Sequence, residues 1–346
     1  MFQIDPVNDP RWGEFLLRHP RGTAFHTPQW LAALQQTYGY EPVAFSFDPP
    51  GSALTHGVVF CRVQSWLTGR RMVSLPFSDH CDPLVDSEAQ LDRLLNALER
   101  EANAGGWNSV ELRPRSHGLG VASGMDAANK FWLHGIDLRP ALKDLFLHLH
   151  KDCIQRKIRR ALREHLTCEE EPSERLLEKF YSLLVMTRRR QRIPPQPIQW
   201  FRNLIGCMGQ ALKIRVACKD GIPVAGILTL RHKDTLVYKY SCSDKRFHPM
   251  GGTPLLLWQA MKEARNEGVQ EFDLGRSDLD NPGLIRFKER LGATRSLMTY
   301  WRYPKIEGDS ESALRKRVRQ VLGETCGHLP APLLCATGRA LYRHMG

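Results

Sequence analysis

The stretch EFDLGRSDLDNPGLIRFKERLGA (271–293) sets a lysine where a helix should bury itself. Asn281 suits a helix cap, Pro282 the first helical position and Gly292 the end. At about 100° per residue, Leu284, Phe287 and Leu291 share an apolar stripe while Arg286, Glu289 and Arg290 face away. Lys288 lies about 40° from Leu284, among the apolar residues. A lysine so placed has three outlets. It runs its head out to water along its stem, pairs with a buried carboxylate such as Asp273, or reaches an anion held in a cleft.

Other residues could do chemistry around it. Arg188, Arg189, Arg190 and Arg192 precede the stiff segment IPPQP, which could present one or two guanidinium forks to phosphate; Arg190 and Arg192 are the candidates. Gly251 and Gly252 precede a helical pattern, where they either free backbone N–H groups for an anion or serve only as a helix entry. Asp273 ends a strand pattern: it is a base if burial raises its pKa, and otherwise ties down the following loop. Tyr238 and Tyr240 alternate on one strand and so share a face, either toward a substrate or in the core. Asp79 and Asp244 read most simply as turn residues. His80-Cys81-Asp82 stands too isolated for a metal site, and no Ser/His/Asp or Cys/His constellation stands out.

These groups need a scaffold. The chain has 346 residues, enough for two domains of about 100–200 residues each. Its net charge of +12 points to anionic partners or to a basic surface that only aids solubility. Nine scattered cysteines without CxxC pairs favour free thiols in a reducing compartment. MFQIDPVNDP lacks the basic start and apolar run of a signal peptide, and no apolar stretch reaches the ~20 residues of a membrane span. A cytoplasmic protein is expected, with contact at the membrane face left open.

An internal repeat organises the chain. REANAGGWNSVEL (100–112) aligns without gaps to KEARNEGVQEFDL (262–274), matching Gly106 to Gly268 and Glu111 to Asp273. Each copy reads as a helix end, a glycine stop and a strand. Residues 43–47, 57–63 and 71–75 form strands in the first half; 213–218, 224–231 and 235–241 do so in the second. Lys219-Asp220-Gly221 and Lys233-Asp234 read as hairpin turns. PQWL (28–31) and IQWF (198–201) each open a helix. The plan is two related α/β (α+β) units, each a mostly antiparallel sheet flanked by helices. Between them HKDCIQRKIRRALREH (150–165) carries an apolar face of Ile154, Ile158, Ala161 and Leu162, with five basic residues around the remainder. Those five form either a solvated face or a phosphate-contacting one. From about residue 308 the composition shifts to SALRKRVRQVL and then LPAPLLCATGRALYRHMG, a tail that could dock on the core, a partner or an anionic membrane.

The ordered set FHTPQWLAALQQTYGYEP, SLPFSDHCDPLV, LHKDCIQRKIRRA, RRRQRIPPQPIQWF and EFDLGRSD…FKERLGA…YW resembles FemAB-like proteins, the bridge-forming aminoacyl transferases of peptidoglycan and their relatives. The resemblance spans roughly residues 10–303. It implies two tandem GNAT-like units, here 1–140 and 141–306, followed by a basic tail, 307–346. It also implies acyl or aminoacyl transfer to an amine of a cell-envelope precursor, by direct attack without a covalent enzyme intermediate. On this reading Lys288, Arg190, Arg192 and Arg276 bind a phosphorylated or nucleotide-linked substrate, Gly251 and Gly252 bind the donor, and Asp273 and Tyr240 move protons. No cofactor is bound permanently, no metal is used, and acyl-CoA or aminoacyl-tRNA is the co-substrate. Two departures bear on the donor. KRFHPMGGTPLLLW (245–258) does not keep the Q/R-x-x-G-x-G/A spacing of acetyl-CoA enzymes, and no long coiled-coil insertion for tRNA is present. A non-catalytic polyanion-binding protein or adaptor on the same duplicated fold is the alternative.

Overall fold

The computed structural model describes residues 1–115, 125–170, 173–304 and 329–346. Its strands are β1 (Phe2–Ile4), β2 (Glu41–Ser46), β3 (Val58–Ser65), β4 (Gly69–Val73), β5 (Ser109–Leu112), β6 (Asp126–Asp137) and β7 (Thr167–Glu169). They continue with β8 (Leu212–Lys219), β9 (Ile222–His232), β10 (Thr235–Ser243), β11 (Glu271–Asp278) and β12 (Thr294–Tyr303). The helices are α1 (Pro10–Arg18), α2 (Pro28–Tyr38), α3 (Glu88–Ala104), α4 (Leu142–His148) and α5 (Arg156–Arg163), then α6 (Glu174–Arg190), α7 (Ile198–Met208), α8 (Gly252–Asn266), α9 (Pro282–Arg290) and α10 (Ala331–Tyr342).

The twelve strands form one sheet in the order β1-β2-β3-β4-β5-β12-β6-β11-β10-β9-β8-β7. Most neighbours are antiparallel. The exceptions are β4 with β5 and β10 with β11, which run parallel and pair Val73 with Glu111 and Val237 with Asp273. The two acidic residues matched by the repeat therefore hold equivalent places in the two halves. The halves also exchange strands: β6 lies against β11, and β12 returns to lie between β5 and β6. A cut at residue 140 would leave each half with one strand laid against the other.

Local sequence explains most of these elements. The β8–β9 and β9–β10 hairpins turn where expected, with Asp220, Gly221 and Lys233 at positive φ. Asn281 caps α9 by accepting from Leu284 N, and Gly292 follows it at φ +85°. Trp30 on α2 and Trp200 on α7, the repeat's matching tryptophans, meet edge-to-face at 5.3 Å and are fully buried. One apolar cluster thus runs continuously beneath α1, α2, α6 and α7 across both halves. On the opposite face α3 covers the first half and α5 and α8 cover the second. On α5, Ile158 and Ala161 are buried but Leu162 is 59% exposed, so the apolar face is narrower than the sequence implied.

Helix α10 docks on the protein itself. Leu334 is buried, Gly338 abuts the Pro195 carbonyl, and Tyr342 O accepts from Tyr40 Oη at 2.8 Å. The basic stretch SALRKRVRQVL lies outside the described residues. No helix among the described residues is long and apolar enough to cross a membrane.

Candidate active site

Parallel pairing of β10 with β11 ends at Val237 and Asp273, and a cleft of about 520 Å³ lies alongside β10. Helix α8 starts in this cleft with Gly252 and Thr253, so its first N–H groups and positive dipole end are directed at whatever the cleft holds. Arg156 and Lys157 from α5, Arg190 from α6, Arg290 from α9 and His248 from the turn before α8 line it as well. Apolar lining comes from Tyr238, Phe247, Leu284 and Phe287. The stripe of α9 seen in the sequence is therefore divided between this cleft and the core.

The turn before α8 is built tightly. Gly251 has φ +80°, and a Cβ there would run into the Lys157 carbonyl of α5. A Cβ on Gly252 would stand 3.0 Å from Ala225 Cβ. Both glycines let α8 begin close against α5 and β9, and Gly252 faces the cleft. Asp244 caps the turn by accepting from Arg246 N at 2.9 Å, the turn role read from the sequence. Within the cleft, His248 Nε2 lies 2.8 Å from Ser243 Oγ. Partial burial, then the charges of Arg190 and Lys157, lower the His248 pKa below its usual 6.5, so the imidazole is neutral at pH 7. Cys242 also lines the cleft; burial pushes its thiol well up, which leaves it a poor nucleophile.

A second polar cluster lies on the other side of β11, since Phe272 and Leu274 point toward α8 and Asp273 points away from them. Here the loop after β4 meets the second half. Asp273 Oδ2 is 2.6 Å from His80 Nε2, with both side chains 1% exposed. His80 Nδ1 is buried with no hydrogen-bond partner among the described residues. Asp79 pairs with Lys239 at 3.1 Å and lies 3.9 Å from Arg276. Gly275 makes this approach feasible: it has φ +69°, and a Cβ would stand 2.8 Å from Asp79 Oδ2. Arg276 stacks over Phe131 at 4.1 Å and Tyr300 at 5.2 Å. Lys288 is 3% exposed and donates to the carbonyls of Gly275 at 2.9 Å and Arg276 at 2.8 Å. Burial lowers its pKa to about 8 against the opposing pull of Asp79 and Asp273.

The sequence-derived candidates thus separate. Arg190, Gly251 and Gly252 gather at the cleft; Asp273, Arg276 and Lys288 gather in the buried cluster. Arg192 is exposed, with φ +59°, and does not line the cleft. Two expectations about proton transfer are corrected. Tyr240 does not share a face with Tyr238, because a bulge between them interrupts the ladder to β9. Tyr238 faces the cleft, while Tyr240 lies in the core and accepts from Trp200 Nε1 at 2.8 Å. Burial alone would raise Asp273, but His80, Arg115 and the Gly275 N–H outweigh it and hold the carboxyl well below its usual range. Lys288 does not snorkel: its head is tied to β11 carbonyls. Asp79, expected as a turn residue, and His80, set aside as too isolated for a metal site, instead meet Lys239 and Asp273 from the other half; neither Lys239 nor the Ser243–His248 pair, whose five-residue spacing matches no regular period, was expected.

Residues 150–289 match the family model described as an acetyltransferase (GNAT) domain. No curated protein is similar to the chain in sequence. Among solved structures, FemX is similar over 92% of this chain and 100% of its own, with TM-score 0.68 and 15% identity. L-PGS from Bacillus licheniformis is similar over 92% of this chain and 98% of its own, with TM-score 0.57 and 14% identity. A tandem GNAT protein from the clavulanic acid biosynthesis pathway is similar over 88% of this chain and 98% of its own, with TM-score 0.54 and 12% identity. The fold is therefore a duplicated GNAT fold, as the FemAB-like resemblance implied.

Proposed function

We propose that this chain transfers an acyl or aminoacyl group from an activated donor to an amine, with the phosphates of the donor lying over the N-terminus of α8. The observation that carries this reading is the convergence of that helix start with Arg156, Lys157, Arg190 and Arg290 on one cleft of about 520 Å³. Helix N–H groups and arginine forks are the donors that phosphate prefers. The donor is an acyl-CoA or an aminoacyl-tRNA, used as co-substrate rather than as a resident cofactor. The acceptor is an amine of a phosphorylated or nucleotide-linked cell-envelope precursor, peptidoglycan or polysaccharide. Its support is the FemAB-like resemblance of the sequence.

The reaction needs no covalent enzyme intermediate. The amine attacks the ester or thioester carbonyl, backbone donors stabilise the oxyanion, and the intermediate collapses, breaking the bond to sulfur or to the ribose oxygen, which leaves as thiolate or takes up the proton the amine has lost. His248, neutral at pH 7 and facing the cleft, accepts the amine's proton. Arg276 contacts the acceptor's anionic group, and Lys288 positions Arg276 through the carbonyls it holds.

Titrating the full chain calorimetrically with acetyl-CoA and with bulk tRNA, each at two salt concentrations, tests the reading. One saturable site for either ligand supports it, and which ligand binds identifies the donor. Binding of neither rejects the donor assignment. Exposure of all five basic residues 156, 157, 159, 160 and 163 favours a second reading, a non-catalytic polyanion binder. That reading predicts tRNA binding that weakens steeply with salt and no discrimination between charged and uncharged tRNA.

A further inference from the structure

The turn joining β3 to β4 exposes Trp66 to 85% and Leu67 to 55% of their surfaces. Two large apolar side chains exposed side by side are more informative than a single exposed leucine. The turn is not loose. Ser65 pairs with Gly69 across a three-residue loop, and Gly69 has φ +74°. Ser65 Oγ accepts from the backbone N–H groups of Leu67 and Thr68, both at 3.1 Å. The C-terminal segment braces the same turn: His344 Nδ1 lies 3.0 Å from Ser65 Oγ, Thr68 Oγ1 donates to His344 O at 3.1 Å, and the His344 ring meets Trp66 edge-to-face at 5.4 Å. Met345 beside it is 54% exposed.

The result is a firm apolar tip of Trp66 and Leu67, with exposed Met345 following His344 in the chain, exposed Arg343 preceding it, and exposed Arg70 next to the turn with its guanidinium over the Trp107 ring at 4.6 Å. Two features fit this tip to a lipid surface. Its backbone donors at Leu67 and Thr68 are already satisfied, so the turn can leave water without stranding them. Tryptophan is also the side chain most suited to the headgroup boundary, and flanking arginines on a chain of net charge +12 complement an anionic bilayer.

We propose that this tip docks the protein on the surface of an anionic phospholipid bilayer, with Trp66 and Leu67 entering the headgroup boundary and Arg70 and Arg343 meeting lipid phosphates. Vesicle binding needs no acyl donor, so the proposal stands apart from the catalytic reading. The test is flotation of the full chain with phosphatidylcholine vesicles, with and without about one-third phosphatidylglycerol. Wild type should partition onto the anionic vesicles and only weakly onto neutral ones. The Trp66→Ser/Leu67→Ser variant should partition about tenfold less with its melting temperature unchanged, because both side chains are already exposed. The Arg70→Glu/Arg343→Glu variant should lose the preference for anionic lipid while keeping the weak neutral partition. Wild-type partition that the Ser variant retains in full would place membrane contact elsewhere. No flotation at all would overturn the proposal, as would a dimer in solution that Trp66→Ser dissociates, since the tip would then be covered by a second copy.

Discussion

Lys288 shows how a single buried charge makes its position measurable. Its ammonium loses its proton near pH 8 in the folded chain but near its ordinary 10.5 when unfolded. Between those values the unfolded chain binds more protons, so wild-type stability rises with pH, by up to about 3 kcal/mol. Lys288→Met lacks this term and also leaves two carbonyls without their donor. Urea denaturation at pH 7 and pH 10 should show the stability difference moving in wild type's favour as pH rises; a difference independent of pH would contradict the buried placement. His248 gives a kinetic counterpart. His248→Gln should keep donor affinity but lower turnover by about 10²-fold, the usual scale for losing a general base. Unchanged turnover would remove His248 from proton transfer. Only part of this was legible in the sequence. The misplaced lysine was visible because α9 is regular; its partners Gly275 and Arg276 were not, because a carbonyl carries no residue signature. The His80–Asp273 contact joins residues 193 apart, and no local pattern announces such a pair.

Among elements, the turn entering α8 governs the cleft. Gly251→Ala would strain a backbone at φ +80° and drive a methyl into the α5 carbonyl of Lys157. Gly268→Ala strains a backbone at the same φ, but its Cβ would meet nothing within 4 Å. The second change should cost about 1 kcal/mol and the first clearly more, with donor affinity falling only for the first. Thermal melts and donor titrations on the pair check this; equal costs would mean α5 and α8 do not meet as described. Hairpin turns, the Asn281 cap and the repeat were legible because each depends on neighbours in sequence. The bulge in β10 was not: one inserted position reverses which face a tyrosine takes, and alternation of residue types does not record it.

The whole molecule is one interlocked sheet rather than two beads. Because β6 and β12 cross between the halves, residues 1–140 expressed alone should fail to give a cooperative urea transition, and the full chain should show one transition by fluorescence and circular dichroism alike. A stable, cooperatively folding 1–140 fragment would contradict the exchanged strands. Duplication was legible in two aligned segments; the exchange was not, since it pairs strands far apart in the chain, Asp126–Asp137 with Glu271–Asp278 and Ser109–Leu112 with Thr294–Tyr303. The proposed donor site is the cleft where this sheet opens at β10. Hydrogen–deuterium exchange of the full chain, with and without acetyl-CoA or aminoacyl-tRNA, tests it most directly. Donor binding in the cleft predicts donor-dependent protection in 151–157 and 243–256. Protection confined to other segments, or none with saturating donor of either kind, would contradict it.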